Sequence, residues 1–136
     1  MKRFNLTVST DGNTDLVNLT SDLTRHVREL HGDGLLHLFV VGSTCALTTI
    51  EFEPGLVKYD FKALMEKLVP EDARYEHEAT WNDDNGHSHL RASLIGAEVT
   101  LPYSNGKLLT GEYQQVVLVD FDTRPRKRTI IATAMP

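Results

Sequence analysis

Three histidines, His77, His87 and His89, fall in one short polar stretch that also carries Glu76, Glu78, Asp83 and Asp84. Imidazole and carboxylate together are the donor set of Zn²⁺ and similar first-row ions. Carboxylates nearby can also orient ligating rings from behind. In an extended segment, side chains two residues apart point the same way, so His87 and His89 would offer two imidazoles to one ion. The bland alternative is two polar residues in a loop. Ser88 reads as the N-cap of a helix from His89 to about Ile95. Free N–H groups at such a start, with the positive end of the helix dipole, hold anions. Arg91, one turn in, either adds a bidentate contact to a phosphate or lies on the surface.

Other side chains invite chemistry more weakly. Glu51 is either a general base or a solvated residue at a strand end. Gln114 and Gln115 flank an apolar run, where alternation turns one inward, and we favour Gln114. "RPRKR" is a solvated edge that deters strand addition, or its Arg124 and Arg126 bind a diphosphate. Cys45 is either a nucleophile or a small buried core residue, and no neighbouring feature lowers its pKa. His26 falls on the polar side of a helix, His31 at that helix's end, and His37 inside an apolar strand, buried with one partner.

These residues need elements to hold them. "FNLTV" alternates as a half-buried strand does. Leu16, Leu19, Leu23, Val27 and Leu30 recur at helical spacing and predict a helix from Asp15 to His31. "LLHLFVVG" is nearly all apolar and reads as a strand buried on both faces. "CALTTIEFE" is a second strand. Phe61, Leu64, Met65 and Leu68 mark a short helix closed by Pro70. The stretch from Glu71 to Gly86 reads as irregular. "EVTLPY", "YQQVVLVDF" and "RKRTIIATAM" are further strands, most simply antiparallel. The expected class is α+β, one domain over residues 1–136.

Composition narrows the function. The formal net charge is −5, with 24% charged residues, which argues against nucleic acid or anionic membranes as main partners. No run approaches the ~20 apolar residues of a membrane helix. A single cysteine and an N-terminus without signal-peptide character suggest the cytoplasm.

An ordered set of motifs carries a resemblance: "GLLHLFV", "CALTTIE", "PEDARYEH", "SHLRASLIG", "LPYSNGKLLTGEYQQVVLVDFD" and "RPRKRTIIA". The chain resembles the YjbQ family, also called the secondary thiamine-phosphate synthase family, from about Gly34 onward. The resemblance implies an antiparallel barrel-like sheet with two or three packed helices, a homotrimer, and a histidine-held metal near subunit contacts. It also implies a low-level activity that joins hydroxymethylpyrimidine diphosphate to thiazole phosphate and releases pyrophosphate. The metal would be zinc by its donors, with magnesium accompanying the substrate. His77 matches the family's "Y-x-H" histidine and His89 its "S-H" histidine. The family's further histidine, in "H-T-(S/T)-A", corresponds to Gly42 in "GSTCA". We expect His87 to supply the missing imidazole and complete a triad. Glu51 and Gln114 would act at the chemistry, and Ser88, Arg91, Arg124 and Arg126 would hold phosphate. Two alternatives are a metal-dependent hydrolase and a non-catalytic trimer that binds a metabolite or metal.

Overall fold

Along β3 (Asp33–Val41), Leu36, Leu38 and Val40 alternate with Leu35, His37, Phe39 and Val41. The first set is fully buried. Successive side chains of a strand point to opposite faces, so one set faces the core and the other faces away. The computed structural model describes residues 1–136. Its other strands are β1 (Lys2–Thr10), β2 (Asp15–Asn18), β4 (Cys45–Glu51), β5 (Glu98–Ser104), β6 (Lys107–Leu108), β7 (Gln114–Asp120) and β8 (Arg126–Met135). They form a five-stranded sheet, β1-β8-β3-β5-β6, and a three-stranded sheet, β2-β7-β4. All pairings are antiparallel. The helices are α1 (Thr20–Val27), α2 (Phe61–Leu68), α3 (Glu76–Trp81) and α4 (Gly86–Ile95), with a π-helical turn at Leu56–Asp60 leading into α2. The class is the α+β expected; the antiparallel barrel-like sheet is a half-barrel, with four helices where two or three were expected. None of the helices is long and apolar enough to cross a membrane.

Two cores hold the layers together. The larger joins the inner faces of both sheets to α1, through Leu36, Leu38, Leu47, Leu118, Ile130, Leu23 and Val27. The smaller lies between the three-stranded sheet and the helices, through Val117, Val119 and Phe121 against Met65 and Ala92. Each fully buried leucine or valine contributes about 2 kcal/mol.

Two expectations change here. The doubly buried strand is β7, whose Val116 and Leu118 enter one core and Val117 and Val119 the other. β3 leaves its second apolar row open, with Leu35, Phe39 and Val41 at 46%, 43% and 50% exposure. His37 in that row is partly exposed and pairs with Glu98 at 2.5 Å. The predicted helix from Asp15 to His31 is a strand followed by a shorter helix. Asp15–Asn18 pairs with β7, and Asn18 accepts a bond from the Thr20 N–H at 3.0 Å, turning the chain into α1. Tertiary pairing overrides a periodicity that both elements share.

Candidate functional site

Helix α4 starts at Gly86, with Asn85 before it. Glu78, from α3, accepts the Gly86 N–H. A β-carbon at position 86 would lie 2.5 Å from Glu78 Oε1 and 2.8 Å from Tyr75 Cβ, so only glycine lets α3 and α4 meet this closely. The anion position at the start of α4 is therefore occupied by the protein's own carboxylate. Ser88 is not the N-cap. Its hydroxyl is fully buried and donates to the Phe121 carbonyl at 2.5 Å, so it does not face a phosphate.

The earlier start puts His87 and His89 on a helix, where residues two apart do not share a face. His89 turns to His77, with ring centroids 4.8 Å apart and edges meeting at 66°. His87 turns inward, is 3% exposed, and packs near the Tyr75 ring at 6.5 Å. Burial, aided by the charge of Arg91, lowers the His87 pKa below its ordinary value. The expected triad is thus corrected: His77 and His89 come together, and His87 belongs to the interior. No three His, Cys, Asp or Glu side chains of the chain gather closely enough to hold a metal ion. One chain does not by itself fit the three-imidazole centre.

Next to the histidine pair lies a buried charged network that ends β7 and begins β8. Asp120 accepts Arg128 Nε at 2.7 Å, Arg128 Nη2 at 3.0 Å and the Thr10 hydroxyl at 2.6 Å. Asp122 accepts Arg126 Nε at 2.8 Å, the Thr44 hydroxyl at 3.3 Å and Asn85 Nδ2 at 3.3 Å. Burial alone would raise the Asp122 pKa, but the Thr123 N–H, Arg126 and Asn85 outweigh it and hold the carboxyl below its ordinary value. Every buried side-chain nitrogen and oxygen has a partner.

Asn85 connects the network to the histidines. Its Nδ2 donates to Asp122, so its Oδ1 must accept from His77 Nε2, 3.0 Å away. That assigns the proton of neutral His77 to Nε2 and leaves the Nδ1 lone pair as base or ligand. Asp83 lies 3.6 Å from the same Nε2.

The other expected residues divide. Arg124 and Arg126 stay near the network, with side chains 57% and 42% exposed, and Arg124 lies 3.9 Å from Asp84. Both can still meet an anion. Arg91 cannot: it is 6% exposed and donates to the Val69 carbonyl, Thr14 and Glu66. Glu51 and Gln114 face each other at the far end of the β4–β7 ladder, where Cys45 opposite Asp120 marks the near end. Six strand steps separate the ends, about 20 Å. Gln114 is also exposed rather than inward, donating to Thr49 at 3.0 Å. Neither joins the histidines within one chain. Cys45 is buried, and burial raises its pKa to about 11 against the opposing pull of Arg128, which fits the core reading.

Sequence reasoning missed Asn85, Asp120, Asp122 and Arg128 as site residues. One signal was present: acids that close a wholly apolar strand, "VVLVDFD", must find buried partners. Alternation in "RKR" placed Arg126 and Arg128 on the same face to meet them.

A family model described as UPF0047 protein YjbQ-like matches residues 4–136. A UPF0047 protein of Archaeoglobus fulgidus is 35% identical over 130 residues, covering 96% of this chain and 98% of the relative. One of Methanothermobacter thermautotrophicus is 36% identical over 127 residues, covering 92% and 85%. Among solved structures, a protein of unknown function from Sulfolobus solfataricus P2 superposes with a TM-score of 0.85 at 30% identity, covering 96% of this chain and 95% of that one. A hypothetical protein from Aeropyrum pernix K1 gives 0.89 at 26% identity, covering 99% and 98%. The match runs through every strand and helix that builds the site, and the chain belongs to the YjbQ-like UPF0047 family.

Proposed function

We propose that this protein is a homotrimeric enzyme acting on phosphorylated small molecules, with thiamine-phosphate synthesis as the named candidate. The observation that carries the reading is the line His77–Asn85–Asp122–Arg126, an oriented imidazole joined to buried charge and opening onto exposed arginines. In the candidate reaction the bond from the pyrimidine methylene to the diphosphate oxygen breaks, and a bond from that carbon to the thiazole nitrogen forms. Arg124 and Arg126 neutralise the charge that builds on the departing diphosphate. Most of the acceleration comes from holding the two reactants together. No nucleophilic side chain is required, in keeping with the buried, high-pKa Cys45.

The family resemblance also implies a divalent ion, zinc by its donors. One chain offers such an ion the His77–His89 pair and no third donor. Elemental analysis tests it: metal retained in His87→Ala and lost in His77→Ala and His89→Ala is expected, and metal-free wild type removes the ion from the proposal. The trimer is supported by the open apolar row of β3, Leu35, Phe39 and Val41, in the middle of a sheet that no helix covers on that side.

The direct test supplies both thiamine precursors and measures pyrophosphate release. Turnover that falls about tenfold or more in Arg126→Ala and His77→Ala supports the reading. Absence of turnover in wild type defeats the named reaction. A second reading, hydrolysis of an unidentified phosphoester or amide, is favoured by the free Nδ1 of His77, which can take a proton from water. A substrate panel distinguishes the two.

A further inference from the structure

The largest cleft of the molecule lies away from the histidines. It runs between α1 and the β5–β6 hairpin, holds ≈ 540 Å³, and is lined by Thr20, Thr24, Arg28, Asn105, Lys107 and Thr110, with Gly106 and Leu108. Gly106 has a positive φ of +83°, and a β-carbon there would stand 3.1 Å from the Arg28 carbonyl, so the hairpin tip abuts the end of the helix. Thr20 contacts β7 at Val116, about 14 Å along the strand from Asp120. This is a separate place from the histidine network.

Its lining is one-sided in chemistry. It contains two cations and no carboxylate. Neither Arg28 nor Lys107 pairs with an acid, and the neighbouring Glu29 is engaged by Lys2 at 3.1 Å. Two of the neutral polar groups are set as donors too, whereas Thr24 already gives its proton to the Thr20 carbonyl at 2.8 Å. Asn105 Oδ1 accepts the Gly32 N–H at 3.0 Å, which leaves its Nδ2 protons free. Thr20 Oγ1 accepts the Val116 N–H at 2.9 Å, which leaves its own proton free. In a chain of formal net charge −5, the cleft gathers Arg28 and Lys107 with the free Asn105 N–H and Thr20 O–H groups and no carboxylate.

We propose that this cleft binds a small phosphorylated anion, a phosphomonoester or diphosphate on a compact polar body. Arg28 supplies a planar, bidentate contact and Lys107 a point charge. Asn105 and Thr20 supply neutral donors. The size suits a small metabolite. Leu108 is the sole apolar lining residue, and no aromatic ring is present to stack a base, which disfavours a nucleotide.

Isothermal titration with inorganic diphosphate tests the site on the full-length protein. Two double variants are compared with wild type: Arg28→Ala with Lys107→Ala, and Arg124→Ala with Arg126→Ala. Unliganded melting temperatures of the cleft variant and wild type should agree, because Arg28 and Lys107 are both exposed. The expected result is a saturable component in wild type, weakened about tenfold or more in the cleft variant and retained in the other. No saturable binding in wild type, or equal affinity in the cleft variant, overturns the proposal. Titration with glycerol phosphate then reads whether a monoester suffices. Equal affinity in the cleft variant with loss in the Arg124/Arg126 variant defeats the cleft and leaves the proposed reaction standing, whereas turnover, measured separately, tests that reaction alone.

Discussion

Asn85 determines which nitrogen of His77 is available. Its amide cannot turn round without pointing an oxygen at the Asp122 carboxylate, so its hydrogen bonds fix the imidazole proton on Nε2. Replacing Asn85 with alanine removes that constraint while leaving both histidines in place. Ring-nitrogen NMR should show one His77 tautomer in wild type and a mixture in Asn85→Ala; the same single tautomer in the variant would contradict the role given to Asn85. Asp120 acts at the same scale on Arg128. Asp120→Asn keeps the shape but leaves a buried guanidinium without its charge partner, and about 3 kcal/mol of stability should be lost in urea denaturation. A loss near zero would mean that Asp122, 3.8 Å from Arg128, already suffices.

Helix α4 shows how one misplaced start changes the chemistry assigned to a segment. In an extended strand His87 and His89 would act together, whereas on the helix one faces His77 and the other the interior. The start was not legible because the residue that caps it, Glu78, comes from another helix, and local patterns do not report such a partner. Arg91 was misjudged for a related reason: its partners Val69, Thr14 and Glu66 are distant in sequence. It ties α4 to the end of α2 and to the turn before β2. Arg91→Ala should cost about 3 kcal/mol, read from a shift in the urea midpoint, with little effect on diphosphate binding at the surface. His87 gives α4 a pH response. Its folded-state pKa lies below the ordinary 6.5, so the unfolded chain takes up the proton first as pH falls. Stability from this group is full above that value and declines as pH drops through it toward the folded pKa. Urea denaturation at about pH 5.5 and 7.5 should show this loss in wild type and a smaller one in His87→Gln.

At the scale of the molecule, strand positions were legible because alternation and β-branched runs announce them, and "EVTLPY", "CALTTIEFE" and "RKRTIIATAM" fall where strands form. Which strand lies in the middle was not legible, since β3 and β7 are both apolar on two faces and only the layering tells them apart. The second apolar row of β3 is the feature that points beyond the single chain. Wild type should sediment near three times 15.3 kDa, and Phe39→Asp should shift it toward the mass of one chain. A wild-type monomer would defeat the trimer. β7 carries a consequence of another kind. Over Val117 to Asp120 it is hydrogen-bonded on both edges, by β2 and β4, and from Val116 to Val119 it is packed on both faces, so the amides of this stretch do not reach solvent through a local opening. The peptide protons of Val116 to Val119 should be among the last in the protein to trade for deuterium, at a rate set by global unfolding, and so serve as its internal gauge of total stability.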